Sequence, residues 1–283
     1  MSSLLFAGGD GPRTVLSTAK NALLPFLTMV DATALRSTCS EARDAIRAFP
    51  FDELRSWVPG RVTAWRAVFP AARALSLRYK ADLCDADFAA CAALRRVELY
   101  GAELKGACVG PSFRHLTATA LDVSHVVTLR AAAFEHLGAV RVLKAAWCRQ
   151  RELDDACLAR LASVEELDIT HCWNARFTDA GLRALAARGT LRKVALGGCT
   201  QAGLTDAGVA ALLAAGTVEE LDVSACRQLT DAAFAGELEA PTGRLRALDV
   251  SFCTGVTVEL IAALRERGVA VSRRRNERDV VSG

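Results

Sequence analysis

Ten cysteines and the segment DITHC (168–172) hold the residue types with the clearest capacity for chemistry in this chain. Clustered cysteines can bind a metal ion, and an acid, a histidine and a cysteine in contact can activate a nucleophile. The nearest two cysteines, Cys84 and Cys91, lie seven positions apart, so the chain has no Cys-x-x-Cys pair and we predict no metal site and no cofactor. We expect Cys172 to face the core and Asp168 to face the opposite side, which argues against a catalytic triad.

Five of the cysteines end copies of one repeated segment. The clearest copies are VEELDITHC (164–172), LRKVALGGC (191–199), VEELDVSAC (218–226) and LRALDVSFC (245–253). The apolar residue in the fourth position of each marks the register, and weaker copies precede these four. The eight markers are Leu75, Val97, Leu121, Leu143, Leu167, Val194, Leu221 and Leu248, the last four at a period of 27. Residues 268–272 are expected to add a terminal strand.

Each repeat predicts a strand, a bend and a helix. Alternating Leu-x-Leu is typical of a half-buried strand, and the cysteine is expected to turn inward as a small spacer. FTDAGLRAL (177–185), LTDAGVAAL (204–212) and LTDAAFAGEL (229–238) then place Thr at a helix N-cap and an acid in the first turn. No unit buries its apolar face alone, so neighbouring units must stack.

The pattern L-x-x-L-x-L-x-x-C-x-x-L-T-D-x-x-L-x-x-L resembles the cysteine-containing leucine-rich repeats of F-box and related proteins. The resemblance implies an α/β leucine-rich-repeat solenoid, a horseshoe similar to ribonuclease inhibitor, with about eight strand-helix units. We expect a flexible N-terminus over 1–13, a helical F-box-like or capping region over 14–71, the solenoid over 72–272 and a charged tail over 273–283.

Residues between the inward positions are expected to line the concave surface in three columns, of which the first is largely acidic and the third is rich in rings. Exposed rings flanked by polar groups are common anchors of protein interfaces. The acidic column also fits a repeat consensus whose carboxylates bond locally, and Lys144 is placed to neutralise Asp122 and Asp168. The candidate partner-binding residues are Tyr79, Tyr100, His125, Lys144, Trp147, Asp168, His171, Asp222, Asp249 and Phe252.

Two alternatives concern this column of rings. Trp147 is expected either to anchor a partner or to pack against the following loop. Gly197 and Gly198 predict a shallow gap beside His171 that a partner side chain could enter.

The front of the chain is mildly basic and helical in pattern. Residues 24–46 resemble the later part of an F-box motif, which in that family docks on a Skp-type adaptor of a cullin ubiquitin ligase. The adaptor-binding residues that the resemblance implies are Leu24, Pro25, Leu27, Leu35 and Cys39. The alternative is an N-terminal cap on the first unit, with Trp57, Trp65 and Phe69 at the joint.

Composition limits the remaining classes of function. A net charge of +3 on 283 residues does not indicate nucleic-acid binding, and no apolar run has the length of a membrane helix. No signal peptide is recognised, so we expect the cytosol or nucleus. The functional candidates are a substrate-binding ligase subunit and a non-ligase scaffold that binds a protein; no motif supports an enzyme.

Overall fold

The Leu-x-Leu segments form nine short parallel strands in the part of the chain that the computed structural model describes, which is Leu24, Leu27 and residues 29–52, 60–173, 175–239 and 244–274. They pair in chain order, with the eight marker residues in one row that Val271 continues. The predicted α/β solenoid and its terminal strand are confirmed. The strands are β1 (Ala74–Ser76), β2 (Arg96–Glu98), β3 (Ala120–Asp122), β4 (Val142–Lys144), β5 (Glu166–Asp168), β6 (Lys193–Ala195), β7 (Glu220–Asp222), β8 (Ala247–Asp249) and β9 (Ala270–Ser272).

Helices precede the sheet and then return the chain between its strands. The α-helices are α1 (Met29–Arg36), α2 (Ser40–Ala48), α3 (Val62–Val68), α4 (Asp85–Ala90), α5 (Asp155–Ala159), α6 (Asp179–Ala186), α7 (Asp206–Ala214), α8 (Ala235–Glu239) and α9 (Val258–Glu266). None of the helices described is long and apolar enough to cross a membrane.

The units that begin at Val97 and Leu121 depart from the expected α-helix. Their return segments are 3-10 helices, at Gly106–Val109, Pro111–His115 and Ala131–His136. A 3-10 helix rises about 2.0 Å per residue against about 1.5 Å in an α-helix, so fewer residues span one unit. The units that begin at Leu75 and Leu143 are equally short but contain the α-helices α4 and α5, so the length of a unit does not by itself select the tighter helix.

The Thr-Asp pairs join each unit to the one before it. The acid of one unit accepts two hydrogen bonds from the threonine of the next, one from the backbone N–H and one from the hydroxyl. These pairs of bonds link Asp155 to Thr178 (2.7 and 2.6 Å), Asp179 to Thr205 (2.7 and 2.6 Å), Asp206 to Thr230 (2.8 and 2.5 Å) and Asp231 to Thr257 (2.8 and 2.6 Å). The threonine oxygen also caps its own helix, as predicted, for example by accepting from Ala180 N at 3.1 Å.

Glycine in the sequence Thr-Asp-Ala-Gly makes room for these carboxylates. A Cβ on Gly208 would overlap Oδ1 of Asp179, and a Cβ on Gly181 would overlap Oδ1 of Asp155. Where the next unit has Ala233 instead, the helix begins as a 3-10 segment, Asp231–Phe234. Sequence and geometry thus agree on a tightly packed carboxylate between successive helices.

The N-terminal helices continue the core of the solenoid. Leu24, Ile46 and Phe51 belong to the same buried cluster as Leu75, and the Phe51 and Phe69 rings pack edge to face at 5.4 Å. The Phe51 carbonyl accepts the N–H groups of Arg73 and Ala74 at 3.2 and 3.1 Å. These helices therefore cover the open end of the first unit, the role that a solenoid cap requires.

At the other end the hydrogen bonding between units continues two residues beyond β9, into the segment predicted to be a charged tail. Arg274 donates its N–H to Ser251 Oγ at 2.9 Å and accepts from Phe252 N–H at 2.8 Å. Trp65 and Phe69 are buried at the joint as expected, while Trp57 and the segments 1–13 and 275–283 lie outside the described residues.

We expect Gly208→Ala to lower the free energy of unfolding by about 1–3 kcal/mol, the usual cost of overpacking. Gly236→Ala is the matched control, because it also lies in a helix but has open space around its Cβ; alanine there should be neutral or stabilise by up to about 1 kcal/mol. Urea unfolding monitored by circular dichroism gives both values. Equal midpoints for the two variants would contradict the packing role of the Asp179 carboxylate.

Candidate functional site

The acid, histidine and cysteine of the DITHC segment do not form a catalytic group. Asp168 Oδ1 accepts from the Thr170 backbone N–H at 3.0 Å and from its hydroxyl at 2.8 Å. Cys172 is buried and donates its thiol to the Ala145 carbonyl at 3.2 Å, whereas the His171 ring packs on Trp147. Each side chain is engaged elsewhere, so the structure agrees with the expected separation of Cys172 from Asp168.

The inward cysteines form a column of thiol donors. Each thiol donates to a strand-end carbonyl of the preceding unit, which adds a bond between units to the spacer role predicted from the sequence. The bonds run from Cys148 to Val123 (3.3 Å), Cys172 to Ala145 (3.2 Å), Cys199 to Ile169 (3.1 Å), Cys226 to Leu196 (3.2 Å) and Cys253 to Val223 (3.1 Å).

Burial makes these thiols inert. Burial raises the pKa of Cys148 and of Cys199 to about 12 and that of Cys253 to about 11, and it also raises the pKa of Cys172 and Cys226. The thiolate is the reactive form, and these environments disfavour it. Among the described residues no group of three or more His, Cys, Asp or Glu side chains is placed to bind a metal ion.

The acidic column bonds mainly within its own turns. Oδ1 of each aspartate accepts the N–H group two residues later, which is the local consensus role left open by the sequence. These bonds join Asp122 to Ser124 (2.9 Å), Asp168 to Thr170 (3.0 Å), Asp222 to Ser224 (2.8 Å) and Asp249 to Ser251 (2.8 Å). Lys144 is exposed and, within the described chain, lies within 4.0 Å of no carboxylate, so the expected neutralisation of Asp122 and Asp168 by an ion pair is wrong.

The column of rings lies in the turns that follow the strands, which we call the rim. Its residues have an unusual backbone conformation. All eight residues of this column have a positive φ, between 53° and 69°. Each still donates its N–H to a carbonyl of the next unit, as Trp147 does to Thr170 at 2.8 Å. Glycine adopts this left-handed conformation without strain, whereas other residues cost about 1–2 kcal/mol. Only Gly101 and Gly198 are glycines; the other positions hold Tyr79, His125, Trp147, His171, Ala225 and Phe252.

Five rings lie in contact along the first five units, and we call them the ring ladder. The centroid separations are 5.5 Å for Tyr79–Tyr100, 4.8 Å for Tyr100–His125, 5.3 Å for His125–Trp147 and 4.4 Å for Trp147–His171. The planes of His125 and Trp147 are only 15° apart, so these two rings stack face to face. The structure thus brings together half of the predicted partner-binding residues.

The gap expected beside His171 is filled by the chain itself. A Cβ on Gly198 would overlap the His171 ring, and a Cβ on Gly197 would lie 2.7 Å from Ser224 Oγ. The absence of side chains at these glycines therefore accommodates neighbouring units, and the prediction of an entry point for a partner is wrong.

Two arginines, Arg78 and Arg149, pack on the ladder. Arg149 and its neighbour Trp173 were not among the residues predicted from the sequence. Arg78 lies 4.6 Å from the Tyr100 centroid and pairs with Glu98 at 3.5 Å. Arg149 lies 4.2 Å from the Trp147 centroid and 5.0 Å from that of Trp173. Arg149 and Trp173 each follow an inward cysteine. Extending the three columns to this next position would have identified both.

Exposure of apolar side chains concentrates on this rim. Six large apolar side chains are exposed within the described residues, and four of them belong to the first five units: Tyr79 (67%), Val127 (74%), Trp147 (37%) and Trp173 (46%). Trp147 therefore stays partly exposed, although Arg149 of the loop that follows it packs on its ring, so each of the two alternatives holds in part. Phe252 lies three units beyond the end of the ladder, and Asp222 and Asp249 line an open groove of about 360 Å³ over the later strands.

The predicted adaptor-binding residues lie mostly against the core. Leu24 is buried at 3% exposure, and Leu27 and Leu35 are half-buried against the same cluster. Cys39 is the N-cap of α2 and accepts from Ala42 N at 3.4 Å. Pro25 lies outside the described residues.

Comparison with known proteins supports the architecture. No family model and no curated protein matches the chain. A crystal structure of the yeast Rad7 and Elc1 complex is similar with a TM-score of 0.50 and 14% identity, over 76% of this chain and 67% of that one. The fold is a leucine-rich-repeat solenoid. The leucine-rich repeat-containing protein LegL7 from Legionella pneumophila gives a TM-score of 0.48 and 15% identity, over 81% of this chain and 82% of that one.

The thiol column predicts a simple reactivity pattern. At pH 8 a thiol with a pKa near 12 is ionised in roughly one molecule in ten thousand, so only Cys84, which is exposed, and the half-buried Cys39 should react promptly with Ellman's reagent in the native protein. The remaining cysteines should react after unfolding in guanidinium. Prompt reaction of more than two thiols in the folded chain would contradict the buried column.

Proposed function

We propose that this solenoid is a protein-recognition module of the cytosol or nucleus that binds its partner through the ring ladder, and that it is not an enzyme. The observation that carries the proposal is the placement of bulky, exposed rings at backbone positions that favour glycine. Strained residues at a surface site point to a function that retains them. Contiguous exposed apolar groups with polar neighbours are typical of binding surfaces.

Ring contacts within the ladder support the same proposal. An aromatic pair contributes about 0.5–1.5 kcal/mol beyond its buried area, which is similar to the strain of one left-handed residue. The ladder therefore adds little net stability to the fold, yet it holds its rings in fixed positions. A prearranged aromatic surface loses little conformational entropy when it binds a partner.

Trp147→Ala should remove binding to the natural partner, because Trp147 contacts both neighbouring rings and Arg149. A truncated aromatic anchor commonly costs 2 kcal/mol or more, about a thirtyfold loss of affinity. Phe252→Ala is the comparison variant: Phe252 was also predicted from the sequence to bind a partner and has the same backbone position and a similar exposure, but it lies outside the ladder, so the proposal expects no loss there. The measurement is quantitative mass spectrometry of proteins captured by wild type and by each variant. Equal loss in both variants, or no loss in Trp147→Ala, would contradict the proposed surface.

We further propose that the N-terminal helices recruit a Skp-type adaptor and cullin, which would make the chain a substrate-binding subunit of a ubiquitin ligase. The F-box-like residues support this, as does the pairing of α1 and α2 into a small helical hairpin with exposed outer residues. The similar crystal structure is that of a complex between Rad7 and Elc1. The second candidate is a scaffold without a ligase, which the burial of Leu24 favours because it gives the helices a capping role.

Co-purification with a Skp-type adaptor separates these two candidates. Leu35→Glu should abolish adaptor binding, and the exposed Arg43→Glu should weaken it without touching the core. Arg183→Glu on the exposed side of α6 is the control and should leave adaptor binding intact. Circular dichroism checks that each variant is folded. If the folded wild-type chain does not bind the adaptor, the ligase proposal is wrong and the scaffold function is the remaining candidate.

A further inference from the structure

Arg149 is held between two indole rings. Its guanidinium carbon lies 4.2 Å from the Trp147 centroid and 5.0 Å from the Trp173 centroid. We call these three residues the indole-arginine clamp. Guanidinium groups are less strongly hydrated than ammonium groups and stack well on aromatic faces, so the rings fix the orientation of this cation.

The clamp lacks a carboxylate partner. Within the described part of the chain, Arg149 forms no ion pair and its Nε is buried without a hydrogen bond. Arg78, the other arginine on the ladder, instead pairs with Glu98 at 3.5 Å. A half-buried guanidinium that is oriented by rings and not neutralised is well suited to bind an oxyanion from outside.

The surroundings add to the positive charge. Arg151 and Arg176 line a shallow depression beside Trp173, together with Glu152. Glu152 is paired with Arg130 at 2.9 Å, so the one acid in this depression already has a cation. In the lining of this depression the arginines therefore outnumber the acid, which makes it complementary to an acidic ligand.

The arrangement of the rings favours an acidic peptide over a nucleic acid as the ligand. Nucleobases bind by stacking on free aromatic faces. The faces of His125 and Trp147 cover each other, and Trp147 is also contacted by His171 and Arg149. Beside the clamp the faces of Trp147 are therefore already in contact with other groups, which leaves its ring edge, the positive part of the aromatic quadrupole, to attract carboxylate and carbonyl oxygens.

We propose that the indole-arginine clamp binds a Glu or Asp carboxylate in an acidic segment of the partner protein. This inference rests on the proposed function, because it names the chemistry that the ladder recognises. Arg149 donates to the carboxylate, Trp147 and Trp173 hold the guanidinium plane, and the neighbouring arginines attract the rest of the segment.

Fluorescence anisotropy with short labelled peptides tests this chemistry on the full chain. The probes are a peptide of alternating Glu and Ser, the same peptide with Gln for Glu, the Gln peptide with phosphoserine, and oligo(dT). The Glu peptide should bind more tightly than the other three and should weaken as salt is added. Equal binding of the Glu and Gln peptides, or tighter binding of the phosphopeptide or oligo(dT), would overturn the proposal.

Three variants at two equivalent positions test the clamp, and the one at Arg227 is the control. Arg149→Gln should weaken binding of the Glu peptide about tenfold or more, and Arg149→Lys should also weaken it because lysine lacks the planar fork. Arg227→Gln should have no effect, since Arg227 follows Cys226 as Arg149 follows Cys148 but has no ring contact among the described residues. Equal binding by the Arg149 and Arg227 variants would exclude the clamp.

Binding of the natural partner by these variants shows whether the clamp proposal or the proposed function is wrong. If Trp147→Ala loses the partner and Arg149→Gln keeps it, the ring ladder is the binding surface and the clamp proposal is wrong. If neither variant loses the partner, the proposed surface itself is wrong. Loss in both variants, with Arg227→Gln unaffected, supports the clamp.

Discussion

The step from one parallel strand to the next, about 4.8 Å, sets the position of every surface residue in this solenoid. Strand pairing crosses every step, and in the later units two further sets of hydrogen bonds join it: the thiol bonds from Cys148 onward and the bonds from threonine to the preceding acid from Thr178 onward. Because the strand pairing stays in register throughout, a side chain in one unit lies beside its equivalent in the next. Columns in the sequence thereby become continuous surfaces, and five rings become one ladder.

The turn after each strand explains why the ladder needs no extra elements to support it. The residue at this turn must leave the strand direction and still donate its N–H to the next unit, which requires a positive φ. Gly101 and Gly198 meet that demand without strain, and the Tyr79 and His171 rings lean over them. Between these glycines the rings contact one another, and their attraction offsets strain of about 1–2 kcal/mol per residue. The rings are therefore stabilised as a group.

The sequence was sufficient for whatever depends on periodicity. All eight marker residues lie in one strand row, because a strict apolar period leaves little freedom in register. The sequence was insufficient to predict the turns in which the chain leaves the strand. Alternation does not describe a left-handed turn, so it could not show that His171 leans over Gly198 or that Arg149 and Trp173 emerge at the rim. The sequence also did not predict the 3-10 helices after Val97 and Leu121, because units of the same length that begin at Leu75 and Leu143 form α-helices.

Charge divides the molecule into two surfaces. The face of the later strands presents Glu166, Asp168, Glu220, Asp222 and Asp249 against Lys144 and Lys193, whereas the rim around the clamp has an excess of arginines. Fields of exposed charges fade over about 8 Å at physiological ionic strength, so each surface acts on the ligand groups nearest to it. A ligand that spanned both would have to reverse its charge along its length. A ligand confined to the rim needs only acidic groups and the ring edges, which makes the ladder and its clamp a site distinct from the concave groove.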